Sequence, residues 1–146
     1  MKKLWTLTLV FAALLATAGA ATAAGPAGFK IVVHKENPAR GLPKAKIALM
    51  FMKMATKWES GAAVDPVDLP AASATRGAFS QAVHNRDVDA IKTAWQRAVF
   101  AGRGEPPVEK ATDEEVIAFV ASHPGGIGYV SEKAATDKVK TLDVLN

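Results

Sequence analysis

Ser73-Ala74-Thr75-Arg76 is the segment of this sequence best equipped to hold an anion. It lies where a strand-like stretch, Val64 to Leu69, gives way to a helical one that runs to about His84. The first turn of a helix presents N–H groups with no partner inside the helix, at the positive end of its dipole. Ser73 and Thr75 add hydroxyl donors, and Arg76 adds a planar fork that can hold two oxygens. The same residues also suit a plain N-cap, with Ser73 closing the helix and Arg76 in solvent or in an ion pair. Asn37 and Arg40 form a second candidate, in the loop after the first strand-like run. Ligands in open α/β sheets favour the crevice beyond the carboxyl ends of strands. An ordinary turn with a solvated arginine is the plainer alternative. Arg103, between Gly102 and Gly104, makes a small basic loop, which serves equally as a helix stop with Gly102 in the left-handed conformation.

Other chemistries find little to work with. His34, His84 and His123 stand far apart, without His-x-His or His-Glu-x-x-His spacing, so no metal site is expected. No Gly-x-Ser-x-Gly elbow, Walker loop or Gly-x-Gly-x-x-Gly after a strand is present, so neither an enzyme nor a cofactor is expected. Gly125-Gly126-Ile127-Gly128 is glycine-rich but leads into a strand, not a helix, which makes it a tight turn. The cysteine count is 0, which excludes disulfides and thiolate metal ligands. Formal net charge is +4, and Lys2 and Lys3 supply half of it. So mild a balance, with no block of like charge, argues against nucleic acid as a partner.

The elements that position these residues can be read from periodicity. Phe29 to Val33 is a β-branched run ended by the turn residues Asn37-Pro38 and Gly41. Pro43 opens a helix with Ile47, Met50, Phe51 and Met54 at helical spacing. Val64 to Leu69, holding Pro66, reads as an edge or short strand. Helices follow from Ser73 to about His84, from Asp87 with Ile91, Trp95, Ala98 and Val99 inward, and from Thr112, where Glu115 completes a capping box. Ile127 to Val130 and Val139 to Leu145 read as closing strands, and the seven aromatic residues from Phe51 to Tyr129 as core and boundary packing. The order is β-α-β-α-α-α-β-β, a small mixed α/β domain with about four helices on its sheet.

The chain begins Met1-Lys2-Lys3, continues apolar from Leu4 to Leu15 apart from Thr6 and Thr8, and then carries small residues to Gly25. This is the pattern of a signal peptide over residues 1–23, cut after Ala23, with residues 24–146 as the mature domain. The apolar run is too short to span a bilayer, so the mature chain is expected to be periplasmic and not embedded in the membrane.

Three segments together resemble the periplasmic phosphate-binding-protein-like family, the solute receptors of phosphate ABC transporters. The first is Trp58-Glu59-Ser60-Gly61 with the strand Pro66-Val67-Asp68. The second runs from Ser73-Ala74-Thr75-Arg76 through Phe79 and Trp95 to Phe100-Ala101-Gly102-Arg103-Gly104 and Pro106-Pro107. The third is the valine-rich helix ending His123-Pro124-Gly125-Gly126-Ile127-Gly128-Tyr129-Val130. The resemblance implies one lobe, the second, of a type 2 periplasmic-binding fold. It implies an oxyanion, inorganic phosphate first, as ligand of Ser73 and Thr75, with Ala74 where the family has glycine. An alternative remains open: a lobe kept as a scaffold that binds an envelope protein or itself, with no small-molecule ligand.

Overall fold

A computed structural model describes residues 28–146, so the expected signal peptide over residues 1–23 lies outside the described residues. Six strands form one sheet: β1 (Phe29–Val33), β2 (Gly41–Pro43), β3 (Asp65–Asp68), β4 (Val108–Glu109), β5 (Gly126–Ser131) and β6 (Lys140–Leu145). Their order across the sheet is β2-β6-β1-β5-β3-β4. β1 runs antiparallel to β5 and β6, whereas β3 is parallel to β5 and β4, and β2 is parallel to β6. The helices are α1 (Lys44–Phe51), α2 (Ala74–Phe79), α3 (Val88–Phe100) and α4 (Asp113–Ser122), and α2 continues as a π-helical turn through Ser80–His84. This is the small mixed α/β fold expected from the sequence.

The helices sit on both faces of the sheet. Neighbouring residues of a strand point to opposite faces. On β5, Tyr129 meets Phe51 of α1 and stacks on Phe79 of α2, with ring centroids 3.9 Å apart and planes 6° apart. Gly128 faces the other way, where a Cβ would come within 2.8 Å of Val116 of α4 and Val67 of β3. A glycine there lets α4 lie close on the sheet. Gly125 is needed for a similar reason, since a Cβ would stand 1.8 Å from the Ala63 carbonyl oxygen.

Caps fix where the helices begin. Ser73, Asp87 and Thr112 each accept from the N–H three residues on, and Glu115 reaches back to accept from the Ala111 N–H. Gly102, at φ +67°, stops α3 as expected.

Five expectations change. Pro43 closes the three-residue strand β2 before α1 begins, and a second short strand, β4, lies in the stretch read as a loop. α1 ends at Phe51, and Lys53 turns to φ 55°, which carries Met54 out to 75% exposure. On α3 the buried stripe stops at Trp95, so Val99, expected to pack inward, stands 50% exposed, and Phe100, read as core or boundary packing, stands 94% exposed. β3 is short but lies second from the edge, and Pro66 fits because β4 pairs only with Val67 and Asp68.

Candidate functional site

β3 delivers its chain directly to the first candidate. After Asp68 the backbone turns through Leu69 and Pro70, and the Ser73 N–H donates to the Pro70 carbonyl. Ser73 is extended (φ −68°, ψ 126°), and its Oγ accepts from the Arg76 N–H at 3.3 Å. The Gly77 N–H takes the Ser73 carbonyl. The N–H groups of Ala74 and Thr75 therefore have no acceptor among the described residues, and the Ser73 hydroxyl proton and the Thr75 hydroxyl remain available. Ser73 and Thr75 are half-buried, and Ala74 is exposed.

Arg76 points the other way, into the protein. Its guanidinium is buried and donates to the Leu69 carbonyl at 2.7 Å and to Glu109 Oε1 at 2.5 Å. Its other nitrogen lies 3.5 Å from Asp68 Oδ2. The Tyr129 hydroxyl donates to Asp68 Oδ1 and accepts from the Leu69 N–H at 3.2 Å. Burial pushes the Asp68 carboxyl above the usual carboxylate range, while Arg76 and Tyr129 pull it back. Burial, and then the adjacent Asp68 charge, push the Tyr129 phenol well above its ordinary value, so it stays a neutral donor. The fork read as a ligand for an outside anion is thus satisfied by two carboxylates and a carbonyl of its own fold, the ion-paired alternative for that residue. It ties α2 to β3 and β4.

Asp68 and Glu109 are the partners that sequence reasoning did not assign to Arg76, and Tyr129 joins the cluster through Asp68. Asp68 at the end of a strand was visible, but Glu109 is separated from Arg76 by 33 positions and sits on a two-residue strand. Beside this cluster opens a cavity of about 460 Å³, lined by Arg76, Trp95, Val99, Phe100, Pro107 and Glu109 among others.

Asn37 and Arg40 do not join this site. β1 runs opposite to β3 and β5, so its end, at Val33 opposite Ile127, lies where β3 and β5 begin, with Pro66 also opposite Ile127. The chain therefore leaves β1 at one end of the sheet, whereas α2 starts at the other, and neither Asn37 nor Arg40 bonds to residues 73–76. The rule of strand carboxyl ends groups sites only where the strands are parallel. Arg103 lies in an exposed loop whose Gly104 is at φ 124°. His34, His84 and His123 are not brought together, and among the described residues no three potential metal ligands gather.

No protein-family model matches the chain, and no curated protein matches it. Solved structures do match. One is a protein described as a phosphate ABC transporter substrate-binding protein from Clostridium perfringens, solved with bound phosphate (TM-score 0.61, 21% identity, 81% of this chain and 45% of that one). Another is an ABC-type phosphate transport receptor from Vibrio cholerae (TM-score 0.62, 18% identity, 80% and 45%). A third is PstS from Borrelia burgdorferi (TM-score 0.62, 13% identity, 81% and 47%). The fold is that of part of these proteins, and the chain spans just under half the length of each. Among the described residues, no helix is long and apolar enough to cross a membrane.

Proposed function

We propose that this chain, with the fold of one lobe of phosphate-binding proteins, is a secreted, periplasmic oxyanion-binding module for which phosphate is the first ligand to test. The observation that carries the reading is the unspent donor set at the start of α2. The N–H groups of Ala74 and Thr75, with the hydroxyls of Ser73 and Thr75, have no acceptor among the described residues. Such a set suits an anion, and the dipole of α2 with its π-helical continuation adds to it. A matched solved structure holds phosphate, which supports phosphate as the trial anion. Arg76 serves here as the brace that holds the loop between β3 and α2, not as a direct ligand. With a single lobe supplying donors, affinity is expected to be weak, and nothing in this arrangement calls for bond-making chemistry.

Calorimetric titration with phosphate, with sulfate for comparison, tests this. Saturable heat with a Kd between about 10 μM and 1 mM is expected. Ser73→Gly, which keeps most of the cap stability, and Thr75→Val should each weaken binding by about tenfold. Binding that survives both substitutions unchanged would remove the site.

A second reading is favoured by a different observation. Phe100 and Val99 stand exposed beside the 460 Å³ cavity, on the face that also carries Pro106 and Pro107. Exposed apolar side chains grouped around a cavity mark partner surfaces. On this reading the lobe is a scaffold that binds an envelope protein or itself.

A further inference from the structure

A second pocket, of about 340 Å³, shares no lining residue with the start of α2 or with the Arg76 cluster. It is formed where the loop after β1 meets the start of α1 and the turn at Trp58-Glu59-Ser60. Its chemistry differs from that of the Arg76 cluster, because its arginine has no carboxylate partner among the described residues.

Three observations converge on it. First, Asn37 lines the pocket and is only 7% exposed. Its Oδ1 accepts from the Ala39 N–H at 2.9 Å, which fixes the amide and leaves Nδ2 as its donor. Nδ2 donates to nothing among the described residues, yet no side-chain polar atom fully closed off from solvent lacks a partner. The donor therefore keeps access to solvent, on a residue that lines the pocket. Second, Arg40 lines the same pocket, is exposed, and has no carboxylate within ion-pair distance among the described residues. Third, α1 starts at the pocket's edge with no side-chain cap and no acidic residue in its first turn, so its positive end is uncompensated. Lys46, in that first turn, also lines the pocket. Its pairing with Glu59 at 3.3 Å is a surface contact, since the Glu59 side chain is 88% exposed, and such pairs are weak. Lys140 adds a further positive charge close by, donating to the Asn37 carbonyl.

We infer that this pocket binds a small oxyanion, held by Arg40, Lys46 and the Asn37 amide at the start of α1. The volume exceeds that of an inorganic anion, and Leu42 and buried Trp58 supply apolar wall. It therefore accommodates either the free anion or a small organic molecule carrying a phosphate group. This inference is independent of the site at α2, since the two share no residue.

The test is an amide NMR titration of the purified protein with inorganic phosphate, repeated with glycerol 3-phosphate. Saturable shifts in residues 37–46 and 58–60 are expected. Arg40→Gln should weaken them by about tenfold. Asn37→Asp keeps the Oδ1 acceptor of the turn and replaces only the free donor, so it should weaken binding at least as much. Ser73→Gly should leave these shifts unchanged. Tighter binding of glycerol 3-phosphate would support an organic ligand, and equal binding would support the free anion. Shifts confined to residues 73–76 would overturn this inference while upholding the α2 site. Pocket shifts that persist undiminished in both Arg40→Gln and Asn37→Asp would overturn it as well.

Discussion

Arg76 is the residue on which the architecture of the α2 end depends. Its side chain is 8% exposed, as closed to water as the 10% exposed Asp68 beside it. Removing one partner of a buried pair leaves the other uncompensated, at a cost of roughly 3–5 kcal/mol. Arg76→Ala should therefore lower stability to chemical denaturation by about that amount, and a loss below about 1 kcal/mol would show that Asp68 does not depend on it. It follows that this substitution reports on folding first and cannot serve as a clean probe of anion binding. Ser73 and Thr75 can, because a capping serine tolerates glycine at a cost of a few tenths of a kcal/mol. The residue types at 73–76 were legible as helix-start chemistry. Where the guanidinium goes was not, because Glu109 approaches from a strand too short to leave a pattern.

Among the elements, α2 and its π-helical turn carry the pH response. His84 closes the turn, edge-on to Phe79 at 5.5 Å between ring centroids. Burial, with Arg86 and Arg76 nearby, pulls its pKa down from 6.5 to about 4. The unfolded chain takes up this proton near pH 6.5 and the folded one only near pH 4. Stability contributed by neutral His84 is therefore intact above about pH 6.5 and drains away as the pH falls towards 4. The size is on the order of 2 kcal/mol, or a Tm drop of roughly 5 °C or more. His84→Gln should flatten the curve of Tm against pH over that interval, and an unchanged slope would remove His84 as its source. Asn85, left-handed at φ 53°, ends the turn and hands the chain to the Asp87 cap. The break at Asn85-Arg86-Asp87 and all three caps were readable, since capping depends on residues three positions apart. The π-helical turn was not, since the register of a helix's last turn is set by what it packs against.

For the molecule as a whole, the exposed face beside the 460 Å³ cavity is the feature to test. Phe100 at 94% exposure contributes almost nothing to the core, so Phe100→Asp should leave Tm within about 2 °C. If the face serves self-association, the same substitution should shift sedimentation towards the monomer, and an unchanged distribution would exclude Phe100 from any such contact. That Val99 faces water came only from the structure: on the helical wheel it adjoins the buried Ile91–Trp95 stripe, whereas Phe100 falls on the opposite side, and nothing in a 13-residue helix says where the neighbouring layer stops. The sequence by itself determined the mixed α/β class, the main strands and helices, their caps, and the likeness to one lobe of phosphate-binding proteins. These follow from local periodicity, turn chemistry and motifs a few residues long. Only the tertiary structure decided strand direction, and with it the separation of Asn37 and Arg40 from Ser73 and Thr75. It alone decided that Arg76 turns inward and that β2 and β4 extend the sheet. The physical reason is the same in each case: these features arise from pairing between residues distant along the chain, where no local spacing records which partner wins.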